Sequence, residues 1–256
     1  MSNKPSAARA LKFWLSDTYN NLGKVVLVNL FWTACSVPSI LIGIHTRQNF
    51  SPLAFLALVV SFLLTSPALG GMFYLSRKIV VNDPYLEMRD FFDGVKKYWE
   101  KSLILLAISL ITPALILGAL VFYGQLARFH PAGVILWVLS LWGIIFFLLM
   151  QTYFFPLMVT QDMGIKQILK TSLFLALGNA GFTVIVVLVQ IIFLALFAIT
   201  GIIFIGGIST ICLLQTNAFL EVSKRYTGEE IRKERKKEYK SPKQFFREIF
   251  MPWKYD

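Results

Sequence analysis

The stretch FTVIVVLVQIIFLALFAITGIIFIGGISTICLLQTNAFLEV, residues 182–222, decides the fold class of this chain. It is 41 residues long, and its one charged side chain, Glu221, stands next to its end. One helix of that length would extend about 60 Å, roughly twice the thickness of the hydrocarbon core of a bilayer. Because Thr200 and Gly201 offer a break, we predict two antiparallel membrane-spanning helices at about 182–199 and 202–222.

Four further apolar runs are each long enough to cross a bilayer as a helix, at about 25–44, 53–75, 103–123 and 134–159. The chain has 256 residues, of which 56% are hydrophobic and 15% charged, whereas a soluble domain has roughly 45–50% apolar and 25% charged residues. This composition excludes a soluble domain and a disordered chain. We therefore predict an all-α, polytopic transmembrane bundle of six spans over residues 1–222, followed by a basic cytoplasmic tail, 223–256.

The basic residues give an independent prediction of the topology. The net charge is +11, and segments that stay in the cytoplasm retain Lys and Arg. Of the 25 Lys and Arg residues, 23 fall in the N-terminal arm, after the second span, after the fourth span and in the tail. Only Arg47 and Arg128 are left for the other side. This distribution predicts an even number of spans, with both termini in the cytoplasm.

Two pairs of similar fragments indicate internal repetition. SVPSILIG (36–43) in the first span resembles ITPALILG (111–118) in the third, and QTYFF (151–155) in the fourth resembles QTNAF (215–219) in the sixth. The sequence thus predicts one hairpin used three times, with a short outer loop in each.

Amphipathic stretches precede the hairpins on the predicted cytoplasmic side. In residues 88–99 the apolar side chains recur at three- and four-residue spacing, which is typical of a helix with one apolar face. Such helices can lie in the membrane interface and bind anionic lipid or a partner protein, or they can pack over the ends of the bundle. The aromatic residues that we predict for lipid or partner docking are Trp14, Phe91, Phe92, Trp99, Phe245, Phe246, Phe250 and Trp253.

The middles of the predicted spans hold no charged residue or histidine, which counts against a proton-coupled pump and an intramembrane acid–base enzyme. We therefore expect a protein that is not an enzyme and has no cofactor or metal. Amide side chains in the spans either join helices by hydrogen bonds or line a path for a neutral or anionic solute. These amides are Gln151, Gln190, Gln215 and Asn217.

The predicted outer loops carry a small basic set that could form an anion-binding patch: His45, Arg47, Arg128 and His130. No acidic or thiol residue accompanies them as a metal ligand. The tail mixes basic and aromatic residues, but the acidic residues among them and its place beside the bilayer favour anionic lipid over nucleic acid.

Several fragments resemble the YesL-like family of small bacterial integral membrane proteins. They are VNLFW (28–32) with SVP (36–38), SPALGGMFY (66–74), and FFDGVKK (91–97). The resemblance covers about residues 10–105. It implies a bacterial cytoplasmic membrane and an association with carbohydrate uptake, beside saccharide importers, and it implies no catalytic residue.

Two functions are compatible with these observations. The first is a non-enzymatic accessory or regulatory subunit, which docks a transporter or a signalling protein through its cytoplasmic helices and tail. The second is a small facilitator or channel for a neutral or anionic solute, with a cavity lined by Gln151, Gln190 and Gln215.

Overall fold

The computed structural model describes residues 4–48 and 51–228, and all regular secondary structure in these ranges is helical. The α-helices are α1 (Ala7–Asn20), α2 (Leu22–Gln48), α3 (Pro52–Leu63), α4 (Ser66–Val80), α5 (Arg89–Leu126), α6 (Pro131–Gln161), α7 (Ile165–Gly178), α8 (Ala180–Thr200) and α9 (Gly207–Thr227). A short 3-10 helix, Ile202–Phe204, lies between α8 and α9. The predicted all-α class is confirmed.

Five helical segments are long and apolar enough to cross a membrane, which confirms a protein of several spans. They are α2, the continuous pair of α3 and α4 (Pro52–Val80), α5, α6 and α8. The sixth predicted span, 202–222, falls on the 3-10 helix and α9 and is not among the five. Six spans and three repeated hairpins therefore stay predictions.

The amphipathic stretch at 88–99 is not a separate helix. It forms the first third of α5, which runs without interruption for 38 residues into the third apolar run. The N-terminal arm, by contrast, is a helix of its own. The side chain of Ser6 caps α1 by accepting a hydrogen bond from the amide of Arg9, and α1 ends at Asn20.

The core lies at the basic end of the bundle, by which we mean the end that carries Lys24, Lys78 and Lys101. Helices α4 and α9 are the most enclosed, since 10 of the 15 residues of α4 and 14 of the 21 residues of α9 are buried. Helix α9 contacts α1, α2, α4, α6 and α8. The largest fully buried side chains include Tyr98, Tyr153, Phe154, Phe219 and Met72.

Helices α4 and α5 form a tight antiparallel pair at this end. A Cβ atom on Gly71 would lie 2.6 Å from the carbonyl oxygen of Phe91, so any larger residue would push the two helices apart. Lys78 and Asp90 close the end of the pair with a 2.6 Å ion pair. Helix α5 continues far beyond α4, and it also pairs with α6.

The pairing of α5 and α6 extends from the basic end to the opposite end of the molecule. Lys101 contacts Asp162 at 2.7 Å at one end, and Gly133 packs against the backbone of Ala127 at the other. Toward that other end the helices are apolar and largely uncovered. The most apolar window of α5 is only 11% buried, and α3 has no buried residue.

The turn between α8 and α9 does not lie at the level of the other predicted outer loops. Asn29 donates a hydrogen bond to the carbonyl of Ile203 (2.9 Å), and Thr33 donates one to Phe204 (2.8 Å). These contacts place the turn beside the first half of α2. From Thr33 to the end of α2 at Gln48 is about 22 Å at 1.5 Å per residue.

Candidate functional site

The predicted amide residues lie on three different helices, and two of the four join helices by hydrogen bonds. Gln151 of α6 donates a 3.0 Å hydrogen bond to the carbonyl of Ser109 in α5. Asn217 of α9 donates to the carboxylate of Asp17 at 3.1 Å and to the carbonyl of Leu213 at 3.0 Å. For these two residues the structure shows hydrogen bonds inside the bundle.

The two other amides differ from them. Gln190 of α8 is 7% exposed, and its buried amide nitrogen has no hydrogen-bond partner among residues 4–48 and 51–228. Gln215 of α9 is half-buried. Leaving a buried donor unpaired costs about 1–3 kcal/mol. Of the four amides, Gln190 is therefore the one whose place in the bundle is least explained by structural hydrogen bonds.

An open groove of about 500 Å³ lies between the ends of α5 and α6 that are farthest from the basic end. None of the four predicted amides lines it. Its lining residues are Leu120, Val121, Gly124, Gln125, Arg128, Trp137 and Leu141.

The predicted outer basic set falls into two pairs. His45 and Arg47 are exposed at the end of α2, and Arg128 and His130 lie in the loop between α5 and α6. In the part of the chain that the structure describes, no hydrogen bond or ion pair joins one pair to the other. His130 has a local role, because its Nδ1 accepts a hydrogen bond from the amide of Ala132 and so caps α6.

The predicted docking aromatics also divide. Trp14 is 2% exposed, and its indole nitrogen donates a 2.8 Å hydrogen bond to the carbonyl of Thr210. Phe91 is 3% exposed and stacks on Phe31. These two residues follow the packing alternative rather than the docking one, since burial against other helices leaves no surface to offer to lipid.

Phe92 and Trp99 remain on the surface of α5, at 45% and 51% exposure. Lys96 lies between them and is exposed as well. These three residues follow one another at four- and three-residue spacing and so share one face of the helix. The tail residues Phe245, Phe246, Phe250 and Trp253 lie outside the described residues.

Sequence reasoning missed a polar joint between α2 and α9. Asn29 is fully buried; its amide oxygen accepts a hydrogen bond from the backbone of Ser209, while its amide nitrogen donates to Ile203. The hydroxyl of Ser209 donates to the carbonyl of Val25 at 2.8 Å. The only signal in the sequence was a polar residue inside an apolar run.

It also missed an ionic clamp at the end of α6. Asp162 has a left-handed backbone (φ 48°) and faces two ammonium groups, Lys101 at 2.7 Å and Lys97 at 3.3 Å. The hydrogen bond from Lys101 is the main reason that the pKa of Asp162 lies below its usual value. Because the carboxylate is half exposed, this clamp orients α5 and α6 more than it stabilises them.

Within residues 4–48 and 51–228, no cluster of three or more His, Cys, Asp and Glu side chains is suited to hold a metal ion. Comparison of the chain with protein-family models, with curated proteins and with solved structures found no match in any of the three. The resemblance to the YesL-like family therefore stays a prediction from the fragments quoted above.

Proposed function

We propose that this chain is an accessory subunit of a membrane complex, which binds another membrane protein and carries out no chemistry itself. The resemblance noted above suggests a bacterial cytoplasmic membrane and a partner in carbohydrate uptake or in signalling. The observation that carries the proposal is the surface of the first third of α5. There the face formed by Phe92, Lys96 and Trp99 is exposed on a helix whose opposite face is locked against α4.

The opposite face explains why this surface is rigid. Phe91 and Tyr98 of α5 are 3% and 1% exposed and pack toward α4. The contact at Gly71 fixes the distance between the two helices. Exposed aromatic side chains beside a cation, on a helix that cannot shift, are typical of a binding surface, because little conformational freedom is lost on association.

The interior supports binding over a solute path. Tyr153, Phe154 and Phe219 are each no more than 1% exposed where a central path would pass between α6 and α9. Gln151, the amide nearest the middle of α6, is bonded to α5. A facilitator for a neutral or anionic solute would need such amides to face an open cavity.

A photo-crosslinking experiment tests the proposal. Benzoylphenylalanine replaces Trp99 in one variant and Trp142 in a matched control, since both tryptophans are 51% exposed but Trp142 lies in the apolar part of α6. After irradiation of native membranes, we expect position 99 to give a discrete protein adduct and position 142 to give none or lipid adducts. Lipid adducts alone at both positions would refute the docking role of this surface.

For the topology we propose four crossings, formed by α2, by α3 with α4, by α5 and by α6, with both termini in the cytoplasm. Helices α8 and α9 then form a hairpin that starts and ends at the basic end. Two contacts support this arrangement. Thr183, near the start of α8, bonds Tyr153, about 12 Å from the end of α6, and the α8–α9 turn bonds α2 about 10 Å from its start.

The distribution of charges supports four crossings as well as six. Residues 171–223 contain no Lys or Arg, so the number of basic residues on each side of the bilayer is the same whether or not the hairpin crosses it. Lys24, which donates a 2.6 Å hydrogen bond to the carbonyl of Leu86, lies only five residues before Asn29. The turn is therefore close to a segment that the charge rule assigns to the cytoplasm.

Cysteine labelling distinguishes the two topologies. In a background with Cys35→Ser and Cys212→Ala, Ile205→Cys reports on the α8–α9 turn and His45→Cys on the outer end of α2. We expect a membrane-impermeant maleimide, added to intact cells, to label His45→Cys and to leave Ile205→Cys unlabelled. Equal labelling of both would show six spans and refute the four-crossing arrangement.

A further inference from the structure

The groove between the far ends of α5 and α6 combines an apolar lining with one cation. Five of its seven lining residues are Leu120, Val121, Gly124, Trp137 and Leu141, and its only charged one is Arg128. Arg128 belongs to the loop, while Leu120 lies eight residues earlier on α5, about 12 Å along the helix. The cation thus stands at the mouth of a groove that continues along apolar helix surface.

No described residue neutralises the charge of Arg128. Among the described residues its side chain makes no ion pair and no hydrogen bond, and the side chain is exposed. It is also one of only two Lys or Arg residues predicted outside the cytoplasmic segments. The arginine that lines the groove is therefore available to an anion.

The rest of the lining selects the kind of anion. A free phosphate needs hydrogen-bond donors around it and gains nothing from leucine and valine. A phospholipid needs both parts, since its headgroup is polar and its acyl chain gains about 0.8 kcal/mol for each buried CH₂ group. Trp137 in the groove and Tyr123 beside it are residue types that are enriched where a membrane helix meets the headgroups.

We propose that this groove binds an anionic phospholipid, with the phosphate at Arg128 and one acyl chain between α5 and α6. The proposal requires that the α5–α6 hairpin crosses a bilayer. It does not depend on the accessory role or on the position of α8 and α9, so either of those can fail without affecting it.

Quenching of Trp137 fluorescence by brominated lipids tests the proposal. The full-length protein is reconstituted in phosphatidylcholine vesicles that contain the same fraction of brominated phosphatidylglycerol or of brominated phosphatidylcholine. Subtracting the signal of the Trp137→Phe variant isolates this residue from the other five tryptophans. We expect the anionic lipid to occupy the groove about fivefold more often than the zwitterionic one, because the attraction of one basic residue near the membrane surface for anionic lipid corresponds to a ratio of about this size.

Three variants assign the effect. Arg128→Gln is expected to abolish the preference and Arg128→Lys to retain most of it, whereas Arg47→Gln, on the other outer end, leaves it unchanged. Gly124→Leu fills the apolar part and is expected to reduce quenching of Trp137 by both lipids. The leucine side chain can be accommodated at its first atom, since a Cβ at position 124 would lie 3.5 Å from Trp137, which is an ordinary van der Waals contact.

Two results would overturn the proposal. Equal quenching by both lipids in the unmodified protein would mean that the groove meets only the bulk lipid around the protein. Removal of the preference by millimolar inorganic phosphate would mean that Arg128 holds a free anion and that the apolar lining plays no part. Both readouts need only the unmodified protein and the Trp137→Phe reference, so neither depends on whether an Arg128 or Gly124 variant folds.

Discussion

Replacing Gly71 by alanine tests the packing on which the basic end depends. The new Cβ atom would lie 2.6 Å from the carbonyl oxygen of Phe91, 2.7 Å from Cγ2 of Val95 and 2.9 Å from the ring of Phe91. The ring and the valine methyl group can rotate away. The carbonyl oxygen cannot, because it belongs to the backbone of the uninterrupted helix α5, so α5 has to move away from α4.

The size of the effect follows from two opposing terms. Inserting a methyl group into a filled contact costs about 1–3 kcal/mol, and a contact with backbone lies toward the upper part of this range. Alanine is more favourable than glycine inside a helix by about 0.5–1 kcal/mol. The Gly71→Ala protein should therefore be less stable than the unmodified protein by about 1–2 kcal/mol.

Unfolding by SDS in mixed micelles, followed by circular dichroism, measures this difference. Gly118→Ala is the matched control, because Gly118 is also inside a helix but a Cβ there meets no atom within 4 Å. That control should be unchanged or more stable by up to about 1 kcal/mol. If Gly71→Ala behaves like the control, α4 and α5 do not pack as described and the rigid surface on α5 loses its basis.

Three further substitutions probe the polar contacts. Asp162→Asn tolerates the left-handed backbone but loses the ion pairs, so it should cost less than about 1 kcal/mol. Because the pKa of Asp162 is lowered, this difference is present at neutral pH, begins to decline below about pH 4 and is lost only as the pH falls through the lowered pKa, which unfolding measured from about pH 7 down to about pH 2 would show. Gln190→Met removes a buried unpaired donor, so it should raise the free energy of unfolding by about 1 kcal/mol, and with it the midpoint of thermal unfolding. A lower midpoint would mean that the amide has a partner. Asn29→Leu leaves the amide of Ser209 and the carbonyl of Ile203 unpaired, so SDS unfolding should show a loss of about 2 kcal/mol or more, and a loss below about 0.5 kcal/mol would contradict the joint between α2 and α9.

The long apolar helices were predictable because the bilayer imposes a length and a composition on each. The continuity of α5 through Trp99 was not predicted from the sequence. Periodicity showed that residues 88–99 form an amphipathic helix, but it carries no information on whether that helix is separate from the apolar run after it. The absence of a glycine or proline between Trp99 and Leu103 was the available signal, and it favours one continuous helix.

The fate of the aromatic side chains could not be predicted locally. Trp14 and Trp99 both stand on amphipathic stretches beside lysines. One is buried against α9, where the carbonyl of Thr210, 196 residues later in the chain, accepts a hydrogen bond from its indole. The other is half exposed, although Phe31 of α2 packs edge-on against Phe92, which lies two turns earlier on the same face of α5. Contacts of this kind depend on the tertiary arrangement, and a single sequence does not reveal them.

Hydropathy and charge leave the level of α8 and α9 in the membrane open, for a physical reason. Hydropathy measures whether a helix tolerates contact with lipid. Helix α9 does not need to tolerate it, because its polar residues, Asn217 among them, are buried against other helices. The charge rule locates only segments that contain Lys or Arg, and 171–223 has none. The contacts of Asn29 and Thr33 with the α8–α9 turn are the observations that support the hairpin that we propose at the basic end. Helix α8 exposes Leu188, Ile192 and Ile199, so it has to lie in hydrocarbon even if it never crosses, and a shallow hairpin at the basic end satisfies both conditions.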